Sequence, residues 1–170
     1  MIRFLLLILF LAIIPASASK GYDLLPEFSE EACGTPCVIS HNPGGELESF
    51  VITAEDMVLT GRSLVINGDC YSACTILADL MRSQGMSCVT PNATFHIHQG
   101  TGTIISAVFA PIVNRFEVPY SVGLNSLIER MGGQPKDGWL VLTHDLLRLY
   151  FPECATVTSG SSEQPLVPEP

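Results

Sequence analysis

The sequence predicts a single α/β domain, and three observations predict it. Short apolar runs alternate with stripes of helical spacing. The turns between them are built from glycine and small residues. The order reads strand, glycine turn, helix, strand, serine turn, helix, strand, which indicates parallel strands joined by crossover helices. At 170 residues the chain is long enough to bury one core.

Each element has its own signal. Residues 19–32 read as an irregular acidic lead-in, and 36–40 (PCVIS) as a short buried strand running into Asn42-Pro43-Gly44-Gly45. Tandem glycines there permit backbone angles that other residues resist and leave N–H groups exposed. Leu47, Phe50, Val51, Ala54, Met57 and Val58 make a helical stripe ending near Thr60-Gly61. Residues 63–67 (SLVIN) form a second buried strand leading to Gly68 and a small-residue turn that carries Ser72 between Cys70 and Cys74. Ala73, Ile76, Leu77, Leu80 and Met81 then recur at three- and four-residue intervals until Gly85, and 93–98 read as a strand ending on His98. Residues 100–118 are apolar and irregular, a loop over the site or an oligomer contact. A helix is expected over 119–131, with Val122, Leu127, Ile128 and Met131 inward, and a last short helix over 142–150. The Ser-, Gly-, Glu- and Pro-rich stretch 156–170 is expected to be disordered.

Composition points to export. Arg3, the apolar run 4–14 and Ala16-Ser17-Ala18 have the form of a secretory leader cut after Ala18, leaving a domain over 19–155 and the tail 156–170. The apolar run falls short of the roughly 20 residues of a membrane span, so no stable span is expected after cleavage. The destination is a periplasm or the medium. Without Arg3, seven basic residues face 17 acidic ones, a net charge of −10 that repels nucleic-acid phosphates. Six cysteines, Cys33, Cys37, Cys70, Cys74, Cys88 and Cys154, read as disulfides in an exported chain. Local pairs at four-residue spacing are tight, Cys88 pairs with Cys154 or one of those two joins Cys74, and the sequence alone leaves the pairing open.

Gly44-Gly45, Ser72 and His98 stand on separate segments in a fixed order. Acyl transfer needs such a set, because a serine hydroxyl is a poor nucleophile until an imidazole takes its proton and N–H donors receive the oxyanion. Ser72 is therefore the candidate nucleophile, His98 the general base, and the N–H groups of Gly45 and Ala73 the oxyanion hole. No cofactor is required.

Asn42-Pro43-Gly44-Gly45, Ser72-Ala73, Pro91-Asn92-Ala93 and Ile97-His98-Gln99 together resemble the proteolytic subunit of Clp proteases. There an SPGG turn, a serine at a helix start and a PNA…IHQ strand occur in the same order at similar separations. The resemblance covers about residues 35–100, and Cys-x-Ser-Ala-Cys is closer to exported relatives of that family. It implies a Clp/crotonase fold of repeated ββα superhelical turns and serine peptidase chemistry on a peptide or other acyl substrate. A homo-oligomer is expected. No ATPase partner is, because an exported enzyme lacks ATP. Where the family places an aspartate this chain reads Glu129-Arg130-Met131-Gly132-Gly133; Asp137 is the nearest candidate for the third catalytic residue and Asp145 the next.

Two rival readings use the same residues. A catalytically inactive binding or scaffold protein would keep the fold and lack the chemistry. A zinc protein would use His96 and His98, which share a strand face, with a thiolate.

Overall fold

The computed structural model describes residues 23–104 and 112–155. It is a mixed α/β fold whose central strand is β2 (Leu64–Tyr71). Strand β1 (Cys37–Asn42) runs parallel along one edge of β2. The other edge takes β3 (Ser87–Val89) beside Leu64–Ile66 and then β4 (Thr94–Ile97) beside Asp69–Tyr71, both parallel. Parallel neighbours need crossovers. Helix α2 (Leu47–Leu59) joins β1 to β2, and α3 (Ala73–Ser83) joins β2 to β3. The glycine turn and the serine turn are the points where the chain leaves β1 and β2 for those helices.

One face of the sheet makes the core. Cys37, Ile39, Leu64, Ile66, Cys70, Phe95, Ile97 and Leu142 are buried there among Phe50, Ala54 and Met57 of α2 and Leu77, Ala78 and Met81 of α3. Each large side chain so buried contributes about 1.5–3 kcal/mol. Alternate residues point to the opposite face, which carries His41, Asp69, Tyr71, His96 and Val141. Strand β1 shifts register between Ile39 and His41 and crosses β2 closely. A Cβ on Gly68 would stand 1.9 Å from the Ser40 carbonyl oxygen, so only glycine fits there.

Several elements differ from expectation. The lead-in contains a 3₁₀ turn (Pro26–Phe28) and a one-turn helix α1 (Glu30–Cys33), with Phe28 buried and its carbonyl held by the Arg62 guanidinium. Strand β3 has only three residues, too few for a periodic signal. Residues 100–118 hold an antiparallel hairpin, β5 (Gly100–Ile104) with β6 (Ile112–Phe116). Helix α4 (Val122–Arg130) buries Leu124, Leu127 and Ile128, whereas Val122 and Met131 are 86% and 44% exposed. Val122, two residues before Leu124, points to the opposite side of the helix, and Met131 is the C-cap, beyond the last helical residue. In place of a helix over 142–150 the chain forms an edge strand, β7 (Leu140–Thr143), antiparallel to β4, and a one-turn helix α5 (His144–Leu147).

The six cysteines form three disulfides: Cys33–Cys37, Cys70–Cys74 and Cys88–Cys154. The last ties β3 to the segment after α5, where Val89 also bridges Glu153. Three disulfides fit a chain that matures in an oxidising compartment. Among the described residues no helix is long and apolar enough to cross a membrane. The leader over 1–18 and the tail over 156–170 lie outside the described residues.

Candidate active site

Ser72 occupies the single residue between the end of β2 and the start of α3. Its backbone sits at φ 50°, ψ −123°, and it is the one non-glycine residue with positive φ among those described. Such a conformation costs of order 1–3 kcal/mol and persists only where its surroundings fix it. Here they do. The Ser72 N–H donates to the His96 carbonyl at 2.9 Å, pinning the turn to β4. The Ser72 carbonyl accepts from the Thr75 N–H at 2.9 Å and from the Thr75 hydroxyl at 2.6 Å. Because that hydroxyl has one proton, Tyr120 must donate the 2.7 Å bond between its own hydroxyl and Thr75. Burial, opposed by the bond to Thr75, raises the Tyr120 phenol above its ordinary range, so it stays protonated for this role. The Cys70–Cys74 disulfide spans the same turn.

The glycine turn packs directly on the serine turn. Gly44 has φ 76°, and a Cβ there would lie 2.5 Å from the Tyr71 carbonyl oxygen and 2.8 Å from Ser72 Cβ. The Asn42 side chain accepts from the Gly44 N–H at 2.8 Å and fixes the bend. No hydrogen bond among the described residues engages the N–H of Gly45 or of Ala73. Ala73 is the first residue of α3, whose leading N–H groups have no partner within the helix and carry its positive dipole end.

His98 follows β4. Its Nε2 lies 2.7 Å from Ser72 Oγ, a distance at which the hydroxyl donates to an unprotonated ring nitrogen. Partial burial lowers the His98 pKa, and the Arg115 guanidinium lowers it further. Both favour the neutral imidazole that can accept a proton at pH 7. The ring packs edge-on to Trp139, centroids 4.5 Å apart.

Ser72 and His98 face a cleft of about 630 Å³. Gly45 and Ala73 line it on the side of the two turns. Leu47, Ile76, Phe116, Val118 and Tyr120 form an apolar wall, and Glu46 and Glu48 add negative charge. The hairpin supplies Gly100, Thr101 and Gly102, with the Phe116 ring lying over Gly100. Buried Gln134 holds the wall segment by bonding both the N–H and the carbonyl of Val118, at 2.9 and 2.6 Å. Asp79 does the same at the start of α4, accepting from the Ser121 N–H and hydroxyl at 2.6 and 2.9 Å.

The structure thus brings together Ser72, His98, Gly45 and Ala73. It does not bring Asp137 to His98: the Asp137 carboxylate is exposed and pairs with Arg115 at 3.1 Å. Asp145 pairs with Arg148 at 3.4 Å. No carboxylate among the described residues bonds to His98. His96 shares the face of His98, but its Nε2 turns to Asp69 at 3.3 Å, and Tyr71 stacks on its ring. The Asp69 carboxylate is held below its usual range by the Thr94 hydroxyl and by His96. All six cysteines are in disulfides, so no thiolate is at hand for a zinc site. Among the described residues no group of three or more His, Cys, Asp or Glu side chains is arranged to hold a metal ion.

The site residues that sequence reasoning missed are Trp139, Arg115 and Thr75. A lone tryptophan carries no local signal of what it faces, and Arg115 reaches the site through the fold of a hairpin. Compared with known proteins, the chain matches no family model and no curated sequence significantly.

Proposed function

We propose that this chain is an exported serine hydrolase that cleaves peptide bonds or related acyl substrates. The observation that carries the reading is the 2.7 Å contact between His98 Nε2 and Ser72 Oγ, on a serine held at positive φ where a strand meets a helix. In the reaction Ser72 Oγ attacks the substrate carbonyl while its proton passes to His98 Nε2. The tetrahedral oxyanion is received by the N–H groups of Gly45 and Ala73. His98 then returns the proton to the leaving group, and water hydrolyses the acyl-enzyme by the same steps. The apolar wall of the cleft suits a hydrophobic side chain on the acyl part of the substrate.

The finer reading is a Clp-type endopeptidase of the Clp/crotonase fold, working without ATP and as a homo-oligomer in a periplasm or the medium. It rests on the four matched motifs around residues 42–45, 72–73, 91–93 and 97–99, and on three disulfides that suit an oxidising compartment. A binding or scaffold protein of the same fold is the second reading. Asp137 favours it, by pairing with Arg115 instead of His98.

Labelling of the oxidised protein with a fluorophosphonate separates the two, because the probe needs both an activated serine and an oxyanion site. Rapid labelling that is lost in Ser72→Ala supports the hydrolase. Absence of labelling in folded wild-type protein leaves the binding protein.

A further inference from the structure

We propose that Trp139 is the positioning residue for His98, holding the imidazole against Ser72 by aromatic packing where no carboxylate orients it; the inference rests on the serine hydrolase reading. Strands β4 and β7 are antiparallel, and their last pair is Ile97 with Leu140. One step further along the ladder sets His98 opposite Trp139. Directly opposed residues on one face of an antiparallel pair are in side-chain contact, and here the rings meet edge-on with centroids 4.5 Å apart at 71°. The indole also meets Tyr71 edge-on at 5.3 Å. Tyr71 immediately precedes Ser72, so one indole touches both the strand that delivers the nucleophile and the side chain of the base. Tyr71 in turn stacks on His96, centroids 3.9 Å apart and 13° from parallel. His96 therefore backs the Tyr71 ring and is directed away from His98, towards Asp69.

The remaining neighbours do not supply this orientation. Asp137, two residues before Trp139, is turned to Arg115, and the charge that reaches His98 from that side is the Arg115 cation. A cation cannot accept a bond from the ring. A packed indole limits rotation of the imidazole and shields it from water on one side. Both effects hold the base neutral and within reach of Ser72.

Two variants test this, with phosphonylation by a fluorophosphonate and NMR titration of the His98 ring as readouts. Trp139→Leu keeps apolar volume at a half-exposed site and removes the ring; Trp139→Phe keeps a ring. The proposal expects Trp139→Leu to label about tenfold more slowly and its His98 titration to move to higher pH, with Trp139→Phe within about threefold of wild type. Wild-type labelling rate and an unmoved His98 titration in Trp139→Leu would overturn it. So would equal slowing in both variants, since Phe retains the packing. If wild-type protein does not label at all, the hydrolase reading fails on its own. The His98 titration then decides the role of Trp139 independently, because it reads the ring's environment without any reaction: a shift to higher pH in Trp139→Leu upholds the contact, and no shift or one to lower pH removes it.

Discussion

In the proposed hydrolase His98 is a base because of what surrounds it, and its neighbours set the pH at which it would work. Arg115 lowers its pKa, and Asp137 partly neutralises Arg115 through their ion pair. The two neighbours therefore act in opposite senses. Replacing Arg115 by Gln removes a repelled positive charge, so the His98 pKa rises and the acid limb of the labelling rate moves to higher pH. Asp137→Asn exposes the Arg115 charge, lowers the His98 pKa and moves the limb to lower pH. Its rate on the alkaline plateau should stay within about threefold of wild type, because Asp137 does not touch the imidazole; loss of an orienting carboxylate would instead cost about ten-thousandfold. A pH–rate profile of labelling for both variants checks the two directions.

At the scale of the elements, the site is two turns pressed together. Gly44 sits where a side chain would strike the Tyr71 carbonyl and Ser72, so Gly44→Ala must push the two turns apart. We expect that variant to lose labelling by more than about a hundredfold, since displacement of an oxyanion donor alone costs that much. Retention of near-native circular dichroism beside that loss would place the defect in the site. Most of this region was legible in the sequence because its signals are local. The stripe Leu47, Phe50, Val51, Ala54, Met57 and Val58 gave α2, and the glycine and serine turns marked where each helix begins. The elements that were not legible draw their stability from distant partners. Strand β7 has four residues and is defined by pairing with β4, whereas Leu142, Leu146, Leu147 and Tyr150 by themselves suggest a helix. The β5–β6 hairpin pairs residues far apart in the chain, Gly100 with Phe116, across a run without alternation. Trp139 was missed for the same reason, because its contact with His98 exists only once β7 is in register. Asp137 was named from its place in the sequence, which carries no information on whether Arg115 or His98 would face it.

Across the whole molecule, covalent ties supplement a modest core. Cys33–Cys37 and Cys70–Cys74 each close a loop of four residues, whereas Cys88–Cys154 spans 66. If stabilisation comes from constraining the unfolded chain, the long tie contributes about 4 kcal/mol and each short one about 2 kcal/mol. Denaturant unfolding of paired Cys→Ser variants should therefore rank loss of Cys88–Cys154 as the most damaging to stability. Loss of Cys70–Cys74 should instead be the most damaging to labelling, because that bond spans the Ser72 turn. The same outcome in both assays for all three pairs would mean that the disulfides serve stability alone. The three disulfides suit a protein that matures in an oxidising compartment.

Activation of Ser72 by His98 is best tested by the rate of phosphonylation against pH, with the modified residue located by mass spectrometry. We expect an adduct on Ser72 whose rate climbs through an acid limb below the ordinary histidine value of 6.5 and then levels. In His98→Ala the rate should fall by several orders of magnitude and the limb should disappear. An adduct elsewhere, or an unchanged rate in His98→Ala, would contradict it.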